Sequence, residues 1–262
     1  GSVVGLSGAE LPLLALLGKL DALALSADTT PLWYDVLSCG IRLAPAAVED
    51  GELCRTYVHM PRAFTYERYV RGLAAGAVFV TTGPLISLRV NGRLPGEELA
   101  CEEGEELRIE CAGWDAGRDA PVEVLAGGEV IGAGGAFSWR ARESAWIAAR
   151  TPRAHTAAVH VVVDDRRPFS ISAAERLLGR LARLDEPAGA GGERAALLRR
   201  ELARGREILT ERLNAPLVSD PWEHERMRMV QVQLRQRAIA DERVLSVMEK
   251  VPRHRFVPES IA

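Results

Sequence analysis

His155, His160, Asp164, Asp165, Asp50, four cysteines and two glycine-rich runs are the residues of this 262-residue chain whose types could do chemistry. His155 and His160 lie five apart in AHTAAVHVVVDD, read as a strand, where the two-residue period puts them on opposite faces and prevents joint chelation of one ion. Asp164 and Asp165, adjacent at the strand end, read as a solvated turn. Asp50 follows the apolar IRLAPAAV at the end of a predicted strand, where α/β proteins place ligands and catalytic groups. A hydrolytic metal centre needs several more ligands, and no histidine or H-x-H pair precedes Asp50.

A phosphate cradle requires glycines between a strand and the start of a helix. GAGGA (132–136) falls between predicted strands and GAGG (189–192) between predicted helices, so both read as turns. No G-x-S-x-G elbow, P-loop or H-E-x-x-H helix occurs, and the aromatic residues are too scattered for a stacking platform. Cys39, Cys54, Cys101 and Cys111 include no C-x-x-C pair and read as reduced, partly buried thiols of a cytoplasmic protein.

Alternating strands and helices must position these residues. Residues 11–25 read as helix then strand. Residues 30–47 read as a helix closed near Cys39-Gly40, followed by a short strand. In residues 64–84, Tyr66, Tyr69, Val70 and Leu73 share a helical face that stops at Gly76 before the β-rich AVFVTT. Beyond Pro84, alternating segments around an Asn-Gly turn predict a small antiparallel sandwich over 85–165. Ser172 and Glu175 form a capping-box pattern opening a helix with Leu177, Leu178, Leu181 and Leu184 on one face. Residues 186–193 then turn into a second helix bearing Leu197, Leu198, Leu202, Ile208, Leu209 and Leu213, closed by NAP at 214–216. After a linker at 217–222, His224–Arg237 is read as a helix with Met227, Val230 and Leu234 along one side. Asp241 caps another helix carrying Val244, Leu245 and Met248, which Val251-Pro252 ends.

The expected architecture is α+β and multi-domain. Residues 1–84 form an α/β region, 85–170 the β-sandwich, 171–216 a helical hairpin and 217–262 the first helices of a further domain. A composition of 47% hydrophobic and 26% charged residues can support a core. Net charge −3 and pI near 6.0, with signs interleaved, give no field for nucleic acid. The stretch 11–25 is broken by Pro12, Gly18, Lys19 and Asp21, so it reads neither as a membrane span nor as a signal peptide.

Two stretches resemble known families. PLWYDVLSCGIRL, CRTYVHMPRAFTYERYVRGLAAGAVFVTTGPLISLRVNGRLPGEEL and SAWIAARTPRAHTAAVHVVVDD are similar to the C-terminal portion of CehA/McbA-type metallohydrolases of the polymerase-and-histidinol-phosphatase superfamily, over roughly residues 20–213. The resemblance implies a remnant of a metal-binding barrel. It sets Asp50 where the family's G-[ST]-D acid ligand stands, with Val48 and Glu49 replacing the small residues. A divalent metal is implied only under this reading.

ERMRMVQVQLRQRAIADERVLSVMEKVPRHRFVPESIA, within about residues 223–262, resembles the start of protein-L-isoaspartate O-methyltransferases. Met229, Val230, Gln233, Leu234, Asp241, Arg243, Val244, Leu245, Met248, Val251, Pro252, Arg253, Phe256, Val257 and Pro258 follow that family's M-V-x-x-Q-L, D-x-R-V-L-x-A-M and V-P-R-x-x-F-V-P order. The resemblance implies a longer parent that uses S-adenosylmethionine to methylate L-isoaspartyl residues in damaged proteins, a displacement carried mainly by positioning. That family's G-Q-T-I-S-like and glycine-rich cofactor-binding segments do not occur in residues 1–262. With Gly rather than Met at residue 1, the chain is expected to be an internal piece that binds neither S-adenosylmethionine nor catalytic metal tightly, its 223–262 helices lacking the sheet they should cover.

Overall fold

The computed structural model describes residues 10–47, 55–60, 63–185, 193–214, 229–234, 241, 244–245 and 248. The chain divides into two compact units, Gly1–Leu213 and Asn214–Ala262.

Three layers build the larger unit. A sheet of eight strands among the described residues forms the middle one: β3 (Arg55–Val58), β4 (Val78–Thr81), β6 (Glu98–Cys101), β9 (Glu123–Ala126), β10 (Glu129–Ala133), β12 (Ala145–Thr151), β13 (Ala154–Thr156) and β14 (Val159–Val163). On one face lies a sheet of β5 (Leu85–Val90), β7 (Glu106–Asp115), β8 (Arg118–Asp119) and β11 (Gly135–Arg140). On the other lie helices α1 (Leu11–Leu16), α2 (Thr30–Ser38), α4 (Ile171–Asp185) and α5 (Glu193–Asn214). The parallel pair β1 (Ala22–Ala24) and β2 (Ala44–Ala46) brackets α2 in a βαβ unit.

β12 shows why the middle layer is double-faced. Trp146 and Ala148 enter the helical core with Trp33, Leu177 and Leu181, while Ile147 and Ala149 enter the inter-sheet core with Leu88, Ile109 and Val161. A strand covered on both sides reads as a continuous apolar run. β5 alternates because only its Ile86, Leu88 and Val90 face the core. Its turn into the next segment places Asn91 at φ 46° and Gly92 at φ 79°, the left-handed pair an Asn-Gly turn supplies. In the helical core, Trp33 is fully buried and its indole N–H donates to the Leu43 carbonyl at 2.8 Å, while Trp146 donates to Ser38 Oγ at 2.8 Å.

Several expectations need correction. The boundary at residue 84 is crossed by a hydrogen-bonded ladder, since β4 pairs with both β3 and β13. The helices of 171–216 are not separate from residues 1–84: Leu177, Leu181, Leu202 and Leu209 share one core with Leu13, Leu32 and Trp33. Amphipathic segments join whichever apolar face is nearest, whatever the chain separation. Helix α4 begins earlier than Ser172, with Ser170 Oγ accepting the Ala173 N–H at 3.3 Å. Helix α3 (Tyr66–Ala74) is capped by Thr65, which accepts from Arg68 N–H, but none of its residues is buried and Tyr66 is 77% exposed.

In the smaller unit, Met229–Leu234 is wound as a π-helix. Val230 and Leu245 are buried and Val244 is 47% exposed, so the face expected to lie uncovered is covered at two positions. Asp241 caps as expected: its Oδ1 accepts the Val244 N–H at 3.4 Å and its carbonyl the Leu245 N–H at 3.0 Å. Met227, the turn at 186–192, the NAP closure at 215–216 and the Val251-Pro252 stop lie outside the described residues.

Candidate functional site

A broad cleft of about 860 Å³ opens beyond the carboxyl end of β1, between the turn into α2 and the β12–β13 hairpin. The turn is knit by hydroxyls: Ser26 N–H donates to Thr29 Oγ1 at 2.8 Å, and Thr29 N–H to Ser26 Oγ at 3.2 Å. Thr29 Oγ1 donates to the Ala24 carbonyl, and Thr30 Oγ1 to that of Ser26. Those groups are spent on the backbone, as Ser and Thr favour at helix starts. On the opposite side, the register pair Thr151–Ala154 leaves Pro152-Arg153 as a two-residue loop with Arg153 at the rim.

The floor is a chain of polar side chains. His155 is buried, and its Nδ1 lies 2.7 Å from the Thr156 carbonyl. A carbonyl only accepts, so Nδ1 carries the proton and the bare Nε2 accepts from the Tyr34 hydroxyl at 2.7 Å. Burial pushes the imidazole down to about 4, so it is neutral at physiological pH. Burial also raises the Tyr34 phenol, with the adjacent Arg150 guanidinium partly offsetting it, so Tyr34 keeps the proton it donates. Arg150 Nε in turn donates to Glu123 Oε2 at 2.9 Å across a β12–β9 register pair. Trp33 meets the His155 ring edge-on at a centroid distance of 5.1 Å and closes the inner side.

Arg153 is held separately. Its Nη2 donates to the Thr82 carbonyl at 3.0 Å and its Nη1 lies 3.7 Å from Asp115. The guanidinium covers Gly83 so closely that a Cβ there would meet Nη2 at 2.6 Å. The arrangement can orient a polar group; it holds no strong nucleophile and no activated base.

His155 and His160 do not share one strand. β13 ends at Thr156 and Ala157-Ala158 carry the chain into β14, resetting the alternation. His160 opposes Trp146 and therefore points into the helical side, the side on which His155 also lies, so the opposite-face expectation is overturned. Burial, aided by Arg42, pushes His160 down to about 4. Asp164 and Asp165 form a left-handed turn at φ 49° and 58°, and Asp164 accepts from Glu103 N–H and from Arg166. Among the described residues no group of three His, Cys, Asp or Glu could hold a metal ion. Asp50 lies outside the described residues.

Gly134 and Gly135 sit at φ 56° and 71° where the chain turns from β10 in one sheet to β11 in the other, in keeping with the turn expected; Gly189–Gly192 lie outside the described residues. Cys39, Cys101 and Cys111 are free thiols. Burial pushes Cys39 up to about 12, and the other two are raised, mainly by burial. No helix among the described residues is long and apolar enough to cross a membrane. Sequence reasoning missed Tyr34, Glu123, Arg150 and Arg153, because Tyr34 and His155 stand 121 positions apart and no local spacing joins them.

Short segments of the chain are similar to the N-terminal part of protein-L-isoaspartate O-methyltransferases. One from Herpetosiphon aurantiacus is 54% identical over 44 residues, covering 17% of this chain and 20% of the relative. One from Methanoculleus marisnigri is 54% identical over 43 residues, 16% of this chain and 20% of the relative. Protein-L-isoaspartate O-methyltransferase 2 from an Anaeromyxobacter strain is 65% identical over 37 residues, 14% of this chain and 15% of the relative. The chain thus spans about a fifth of the length of the curated relatives it first matches. Neither a protein-family model nor a solved structure matches it.

Proposed function

We propose that residues 223–262 are the opening helices of an isoaspartyl methyltransferase region. The parent polypeptide would transfer a methyl group from S-adenosylmethionine to L-isoaspartyl carboxylates of damaged proteins. The observation that carries this is 54% identity over 44 residues to a protein-L-isoaspartate O-methyltransferase. The Asp241 cap at the head of the second helix supports it locally.

The residues present do not fit the cofactor. S-adenosylmethionine binding needs a glycine-rich turn from a parallel strand into a helix, whereas the described glycine-rich run, 132–136, joins two strands of different sheets. The chemistry would belong to segments beyond these residues. The test is the reading frame past the codon for Ala262. Continuation into a G-Q-T-I-S-like segment and a glycine-rich turn is expected, with micromolar S-adenosylmethionine binding to the extended protein and none to residues 1–262. A stop codon there, or micromolar binding by residues 1–262, would sink the proposal.

A second reading, a metal-dependent hydrolase of the CehA/McbA type or a binding module derived from it, is favoured by the parallel β1–α2–β2 unit with a cleft at the carboxyl end of β1. It expects a divalent metal whose affinity falls on Asp50→Asn and an H-x-H upstream. Without either, the sandwich and helices serve as a binding module.

A further inference from the structure

The cleft beyond β1 has the build of a small-molecule site, concave and mostly apolar with a few fixed polar groups. Leu25, Pro31, Val80, Pro121 and Pro152 give it flat apolar walls. The Thr30, Thr81 and Thr82 hydroxyls donate to backbone carbonyls and that of Tyr34 to His155, and the cationic donors left for a ligand are two guanidiniums. Arg150 is fixed by Glu123 and Arg153 by Thr82, so neither must be ordered on binding. Charge narrows the choice further. The lining carries Arg150 and Arg153 against Glu123 alone, a surplus of one positive charge, with Asp115 at 3.7 Å from Arg153 just outside the lining. A doubly charged phosphate would be poorly compensated. A planar singly charged carboxylate matches a guanidinium fork.

We propose that this cleft binds a small monocarboxylate with a flat apolar body, the carboxylate on Arg153 and Arg150 and the body against the prolines. The assignment is independent of the methyltransferase reading, because every residue it uses lies in the larger unit.

The test is calorimetric titration of the full 262-residue chain with benzoate, benzamide as the neutral isostere, and phenyl phosphate. Benzoate should saturate one site with Kd on the order of 1 mM, as ligand efficiency allows for so few atoms, and bind about tenfold more tightly than either of the others. Arg153→Gln should weaken benzoate about tenfold. Gly83→Ala keeps the charge but displaces the guanidinium from its perch, and should weaken benzoate without altering benzamide. Circular dichroism checks that both variants fold. Equal affinity for benzoate and benzamide, tighter binding of phenyl phosphate, undiminished binding by both variants, or no saturation by about 20 mM benzoate, twentyfold above that Kd, would each overturn the proposal.

Discussion

Residues 1–213 and 214–262 differ in what makes them recognisable. The larger unit has two large cores, a small third one and a described path over most of its length, yet neither a family model nor a solved structure matches the chain. The smaller is described only at Met229–Leu234 and five further positions, yet the proposed methyltransferase region falls in it. The contrast has a physical origin. β5 needs only apolar residues at alternate positions, a pattern many sequences satisfy, so packing fixes its place without marking its ancestry. A string such as Val251-Pro252-Arg253, followed by Phe256, Val257 and Pro258, carries a family resemblance in the identity and order of its residues rather than in an apolar period.

If cohesion resides in the larger unit, its core substitutions should produce the largest losses. Leu177→Ala empties a fully buried position between α4 and Trp33 and should cost about 3–4 kcal/mol in urea unfolding. A loss under about 1 kcal/mol would mean that the helical layer is dispensable, contrary to the three-layer account.

Acid should act next, through His155 and His160. Both are held at about 4, below their ordinary 6.5, so the unfolded chain binds more protons than the folded one between those values. Stability is therefore fully present above pH 6.5 and falls as pH drops toward 4, by about 3 kcal/mol for each histidine. His155→Gln should lose about that much less than the parent between pH 7 and pH 4. Superimposable pH profiles for the two would refute the burial argument.

Arg176→Ala tests how α4 is tied to α2. Arg176 Nε and Nη2 both donate to Asp35 Oδ1, at 2.8 and 2.7 Å, and Asp35 is buried while the Arg176 side chain is 57% exposed. Removing the arginine strands a buried carboxylate, but water reaches the vacated side, so about 2 kcal/mol is expected from denaturant midpoints. Arg176→Lys should recover part of it, because a point charge replaces two donors aimed at one oxygen.

Punctuation made much of the helical layer legible. Gly40 and Gly76 sit at φ 71° and 73°, the left-handed stops their positions implied, and the Asn91-Gly92 turn formed as read. What could not be read was pairing between distant segments. Nothing in AVFVTT says that it will lie beside Ala154–Thr156, nor in ELAC that it will pair in parallel with Val159–Val163. The cleft depends on such pairings: Tyr34 comes from α2, Arg150 from β12 and Glu123 from β9. His155 attracted attention as a possible metal ligand, but its burial and its two hydrogen bonds make it a neutral strut under Tyr34.

The smallest effect should come from the smaller unit. Asp241 accepts the Val244 N–H at 3.4 Å, a long bond at the start of a helix. Asp241→Ala should cost about 0.5–1 kcal/mol locally, as for other lost caps. If the two units unfold separately, the substitution should speed amide exchange at Leu245, which donates to the Asp241 carbonyl at 3.0 Å, and leave Ile147 and Val161 in the larger unit unchanged. Equal acceleration at all three amides would show a single cooperative unit, and the contrast in recognisability would then have no counterpart in stability.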